Sequence, residues 1–286
     1  MRKSVLSYMF RMSVCVLFAA AFCACGPSDA DRAAGLLSEA RSAYAQGHIN
    51  EALTLLDSIK TAWPREVEVR RQGMAFEDSV RLAVNRRIVE TTDSLIAEAS
   101  AKIDSVASVR FIYEKTEYDE LGRFVPKGTQ VTDNDRKSYI RAEVNEYGHT
   151  RLISTYAGTA ELGHAALRLS LSSGESVTTA EIPYNDGANY RYRVNEMYYE
   201  AVTYTDEKDG GALAFAALHV GETVKAVLLG GKKEMAVAVS SRDLQGLAAT
   251  FELSVLLRDR LRLTQERKTS QLMIEKLQQK IQTRKP

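Results

Sequence analysis

Tyrosine is the residue type whose crowding invites a functional reading. Nine of the chain's 13 tyrosines lie between Tyr139 and Tyr204. Five of them, Tyr190, Tyr192, Tyr198, Tyr199 and Tyr204, sit in two neighbouring segments. Aromatic faces stack on sugars, and tyrosine anchors protein interfaces because it joins a large apolar ring to a hydroxyl. Packing is the competing reading, since tyrosine favours strands and Tyr190 and Tyr192 share an apolar face with Val194.

Other chemistry is thin. The histidines His48, His149, His164 and His219 are scattered, and none has a second ligand at a spacing such as HExxH. His48 reads as a loop residue, and His149 and His164 as surface positions opening strands. His219, in a very apolar segment, reads as a core or pocket residue. Gly230-Gly-Lys-Lys233 lacks the rest of a phosphate loop and precedes a strand, so it reads as a hairpin turn. Asp133-Asn-Asp135 and Asp206-Glu-Lys-Asp-Gly-Gly211 are acidic turns that do not complete a calcium loop. No GxSxG elbow exists. The expectation is a non-enzymatic protein with no cofactor and no metal. A hydrolase or lyase site assembled from distant residues would leave no local signature.

Composition narrows the setting. With 38 basic and 37 acidic residues among 286, charge is nearly balanced, which argues against nucleic acid as a partner. Arg2, Lys3 and Arg11 precede an apolar run from Met12 to Ala24, about 20 Å as helix and too short to span a bilayer comfortably. A basic start, a short apolar middle and small residues before a cut mark an export signal. The segment Phe22-Cys23-Ala24-Cys25-Gly26 resembles a bacterial lipobox. That resemblance implies cleavage before Cys25 and a lipid on the new N-terminal cysteine, anchoring the protein in the cell envelope of a Gram-negative bacterium, at the outer membrane. Cys15 and Cys23 leave with the signal, so the mature chain has no disulfide and must hold together by packing.

The elements that would position any site follow from hydrophobic period. The chain divides into a signal (1–24), a lipid tether (25–30), a helical hairpin (31–64), a long helix (65–106), an antiparallel β domain (107–242) and a second long helix (243–286). The hairpin resembles a single tetratricopeptide unit. Ala40 and Ala52 fit its close-contact positions, Gly47 its turn, Leu56 and Ile59 its packing face, and Pro64 its end. A plain helical hairpin is the alternative, and a lone unit needs a cap or neighbours. Leu82, Val89, Thr92, Ile96, Ala99, Ile103 and Val106 recur at spacings of three and four. Ala249, Leu253, Leu256, Leu263, Ile274, Leu277 and Ile281 do the same, with Arg260, Arg267 and Ser270 interrupting. Acid excess on the first helix and basic excess on the second favour an antiparallel, coiled-coil-like pair. Arg284 and Lys285, at the basic end, read as solubility and helix-end charge complementarity, with anionic lipid as the alternative if the helices fold back to the membrane.

Residues 107–242 switch to a period of two and predict about ten short strands, in an antiparallel sandwich or partly open barrel. Leu213-Ala-Phe-Ala-Ala-Leu-His-Val reads as the central strand. The fold class is therefore α+β, a β domain inserted into a helical hairpin. The leading functional expectation is an envelope lipoprotein that binds a protein partner. The alternative is glycan binding by the tyrosine strands.

Overall fold

A computed structural model describes residues 27–129, 137–231 and 233–284. The signal, Cys25, the Asp133–Asp135 turn and Lys285 lie outside the described residues. The chain forms the expected α+β fold, with two long helices packed together and two antiparallel sheets inserted between them in sequence. Two compact units can be distinguished, and the divisions at Val89/Glu90 and Lys268/Thr269 fall inside both long helices. No described helix is long and apolar enough to cross a membrane.

The first unit begins with α1 (Asp29–Ala45) and α2 (Ile49–Ala62). Ser28 caps α1: its Oγ accepts the Asp31 N–H at 3.1 Å, and the Asp31 carboxylate accepts the Ser28 N–H at 3.1 Å. Ala40 and Ala52 are fully buried, which lets α1 and α2 approach closely, with Leu56 and Ile59 beneath them. The start of α3 (Val67–Arg110) covers this pair. Phe76 packs edge-on against Tyr44 at 5.7 Å, and α3 runs unbroken through Gly73. Buried Asp78 on α3 accepts hydrogen bonds from Lys280 Nζ at 2.8 Å and Arg284 Nη1 at 2.5 Å. Arg284, at the basic end of the chain, is thus paired with a carboxylate within the protein.

In the second unit the remainder of α3 runs antiparallel to α5 (Ser241–Thr283). Asp93 pairs with Arg267 near one end and Arg110 with Glu252 near the other. The apolar seam lies between them. Ile103 packs with Ala249, Leu253 and Leu257, joined by Phe111 and Val144 from the sheet. Ser240 caps α5 through a reciprocal pair with Asp243.

Among the described residues ten antiparallel strands lie between the helices: β1 (Phe111–Glu114), β2 (Arg123–Pro126), β3 (Tyr139–Asn145), β4 (Thr150–Gly158), β5 (His164–Ser170), β6 (Ser176–Thr178), β7 (Asn189–Val194), β8 (Met197–Thr205), β9 (Lys225–Gly230) and β10 (Glu234–Val237). One sheet has the order β1-β2-β3-β4-β8-β7 and the other β10-β9-β5-β6. Their inner faces share a core built from Ile140, Leu152, Leu167, Leu169, Val202 and Leu228, among others. The strand expected at 213–220 is instead a short helix, α4 (Ala212–Leu218). Alanine at four of its seven positions favours helix, and Asp209 accepts the Leu213 N–H at 3.0 Å at its start. β2 is only four residues long and closes in Pro126, a composition that by itself resembles a turn.

The β3–β4 turn docks tightly on α5. Gly148 has φ 85°, and a Cβ there would lie 2.7 Å from Ser254 O and 2.9 Å from Arg258 N. Both neighbours are helix backbone and cannot retreat. Gly148→Ala is expected to destabilise by about 2 kcal/mol, measured by thermal denaturation, since left-handed strain adds to overpacking.

Candidate functional site: a tyrosine ridge and a buried histidine–carboxylate knot

The five singled-out tyrosines separate by face. β7 and β8 form a hairpin through a two-residue turn, Asn195-Glu196, with Asn195 at φ 54°. Tyr192 pairs with Tyr199 and Tyr190 with Ala201. Tyr190 and Tyr192 are 63% and 45% exposed, and Val194 beside them is 50% exposed. The Tyr192 and Tyr199 rings stack at 5.0 Å and 10°, while Tyr190 and Tyr192 meet at 5.5 Å and 40°. These three make an outward ridge, Tyr190 and Tyr192 from β7, the terminal strand of the six-stranded sheet, and Tyr199 from β8 beside it.

Tyr198 and Tyr204 point the other way. Tyr198 packs against the core, with the Arg193 guanidinium 5.0 Å from its ring centre. Tyr204 is completely buried and leaves the candidate surface. Burial, opposed by hydrogen bonds with Ser154 and Thr179, pushes its hydroxyl up to about 12. Strand alternation accounts for the split, because even positions of β8 face the core and odd positions face out.

Tyr204 belongs to a polar knot between the two sheets. His164 Nδ1 lies 2.8 Å from Glu200 Oε2, and Nε2 lies 3.1 Å from Ser154 Oγ. Ser154 Oγ is 3.2 Å from the Tyr204 hydroxyl. Glu200 also accepts the backbone N–H groups of Leu162, Gly163 and His164 at 2.7–2.8 Å. Burial alone would raise the Glu200 pKa, but His164 and these backbone donors outweigh it and hold the carboxyl at about 2. In the neutral ring, Nδ1–H donates to Glu200 and Nε2 accepts the Ser154 O–H.

This is the connectivity of a serine nucleophile, a base and an orienting acid. Yet Ser154, His164 and Tyr204 have no exposed surface and Glu200 has 1%. A substrate could reach Ser154 only if the two sheets parted. The arrangement does structural work, binding β5 of one sheet to β4 and β8 of the other.

His164 was expected at the surface. A bulge between His164 and Ala166 in the β5–β9 pairing overturns this, because the extra residue turns His164 onto the same side as Leu167 and Leu169. The one signal in the sequence was Glu200, an acid alternating with Tyr198, Val202 and Tyr204 on a core face. The spacing of Ser154, His164 and Glu200 carried none.

No protein-family model and no curated protein sequence matches the chain.

The remaining candidates resolve simply. His149 is exposed, as expected, and contacts Asp206 at 3.1 Å. Asp206 sits at φ 45°, held also by the Thr150 N–H at 3.1 Å. Both border a cleft of about 290 Å³ that also includes Arg123, Glu143 and Arg151. Its arginines are paired with carboxylates, Arg151 with Glu143 at 2.9 Å and Arg123 with Glu114 at 3.1 Å. In the acidic turn beyond Asp206, Asp209 caps α4. His48 is exposed at the start of α2. His219 is not in a strand but ends α4, 2.8 Å from Glu222, and that bond raises its pKa. Gly230 and Lys233 close the β9–β10 hairpin, as expected. Among the described residues no group of three or more His, Cys, Asp or Glu side chains could hold a metal ion.

Proposed function

We propose that this chain is an exported envelope lipoprotein, anchored through Cys25, whose β-rich unit docks a protein partner on the Tyr190–Tyr192–Tyr199 ridge. The carrying observation is the exposure of large tyrosine rings on a terminal strand. Rigid aromatic surface of this kind loses little side-chain entropy on binding and anchors protein interfaces. The ring arrangement favours protein over glycan. Tyr192 and Tyr199 each cover one face of the other, whereas a sugar platform needs open ring faces. The anchor rests on the basic start, the apolar run and the lipobox-like segment ending at Cys25.

Photocrosslinking in intact cells from a probe at position 192 tests the docking. A protein adduct lost in Tyr190→Ala/Tyr199→Ala supports it. Absence of any adduct that depends on the ridge overturns it. Polysaccharide retardation in affinity gels that disappears in the same variant transfers the ridge to glycan binding. The anchor is tested separately. Cys25→Ser is expected to abolish signal removal and detergent-phase partitioning, and unchanged behaviour would refute lipidation at that residue.

A further inference from the structure

We infer that the partner adds to the β7 edge as an extended strand with acidic residues at alternate positions. This rests on the docking role of the ridge and specifies the chemistry of what binds there. Among the described residues β7 has a neighbour, β8, on one side only. Thr203 donates its N–H to Ala188 O at 2.8 Å, which sets the phase of the ladder. By the alternation of an antiparallel pair, Tyr190, Tyr192 and Val194 bond toward β8. The N–H and C=O groups of Arg191 and Arg193 then point outward from the open part of the sheet edge, while Asn189, at its start, is buried and donates to the His164 and Ile182 carbonyls.

Edges are usually guarded by proline, a bulge or charged side chains, lysine above all, and here Arg191 and Arg193 are the only charges. β7, Asn189-Tyr-Arg-Tyr-Arg-Val194, has no proline or lysine, and its pairing with β8 is regular throughout. Its side chains sort instead into a tyrosine–valine face and an arginine face. Arg191 shares Glu161 at 3.4 Å and lies 4.8 Å from the Tyr184 ring centre. Arg193 donates to Asn195 O at 2.9 Å and has no carboxylate partner among the described residues.

The charge pattern decides between two occupants. A second copy would bond through the same outward positions, odd residue against odd residue. Antiparallel pairing centred on Arg191, Tyr192 or Arg193 then sets arginine opposite arginine in every case, and like charges directly opposed are destabilising. An incoming strand with acids facing Arg191 and Arg193, and apolar residues beside Tyr190 and Tyr192, meets neither obstacle. Strand addition of this type draws affinity from main-chain hydrogen bonds and selectivity from alternate side chains.

Binding of a short labelled peptide alternating valine and glutamate, measured by fluorescence polarisation on the mature full chain, provides the test. It is expected to bind at least about ten-fold tighter than the valine–lysine counterpart, with affinity falling as salt rises. Arg193→Glu should reverse the preference. Arg193→Pro, which removes one outward N–H, should weaken the glutamate peptide by about ten-fold or more with the melting temperature retained. Equal binding of the two peptides, or indifference to both substitutions, overturns strand addition. If the adduct from position 192 persists in Arg193→Pro, the ridge stands and the edge does not. A dimer in sedimentation that dissociates in Arg193→Pro overturns the acidic partner in favour of self-pairing.

Discussion

Glu200→Ala is expected to lower the unfolding free energy by about 3–5 kcal/mol, read from urea denaturation of the mature chain. The substitution strips buried His164 of its Nδ1 partner and removes the acceptor of three backbone N–H groups, those of half-buried Leu162 and Gly163 and of fully buried His164. Each orphaned donor carries its own desolvation penalty, so the loss exceeds what a single hydrogen bond contributes. A change below about 1 kcal/mol would show that the knot is not holding the sheets together.

The same carboxylate gives a signed pH dependence. Its folded pKa, about 2, lies below the ordinary value of 4.5, so the native state favours the charged form. The stability it contributes is complete above 4.5 and is lost as pH falls from there toward 2. The acid limb of the stability profile should therefore flatten in Glu200→Ala. An unchanged slope in that window would locate the acid sensitivity elsewhere.

Leu253→Ala should cost about 2–5 kcal/mol by the same measurement. Leu253 is fully buried on α5 against Ile103 of α3 and Phe111 and Val144 of the sheet, so truncation opens a cavity where helix pair and sheet meet. Asp93→Asn, which breaks the exposed pair with Arg267, should cost no more than about 1 kcal/mol. Reversal of that order would mean that charge rather than apolar contact holds α3 against α5. The alternating seam carries the adhesion, and the complementary charges select partner and direction.

Much of this fold was legible from period alone. The three-and-four spacing through Thr92, Ala99 and Ile103, and through Leu253, Leu263 and Leu277, places these residues in buried positions. The two-residue period marks β3, β4, β7 and β8 nearly to their ends, because half-buried strands must alternate. Period fails where burial is total. Ala212–Leu218 is apolar on nearly every side, so alternation could not separate a buried strand from a buried helix, and four alanines settled the outcome.

The candidate site was half legible. Tyrosine crowding pointed to the hairpin, but the five residues divide between a surface ridge and the core. Only strand pairing sets Tyr192 against Tyr199 and buries Tyr204 beside Ser154. The knot joins residues 154, 164 and 200, which no local pattern connects. A single bulge aims the histidine inward.

Sequence by itself determined the α+β class, the helical hairpin and the two long helices. Local periodicity and turn chemistry act within a few residues and need no distant partner. Tertiary structure alone decided which tyrosines meet solvent, which strand forms the sheet's edge, and that His164 and Glu200 are sealed together. Those outcomes depend on register and strand order, which the chain acquires only when segments far apart in sequence pair.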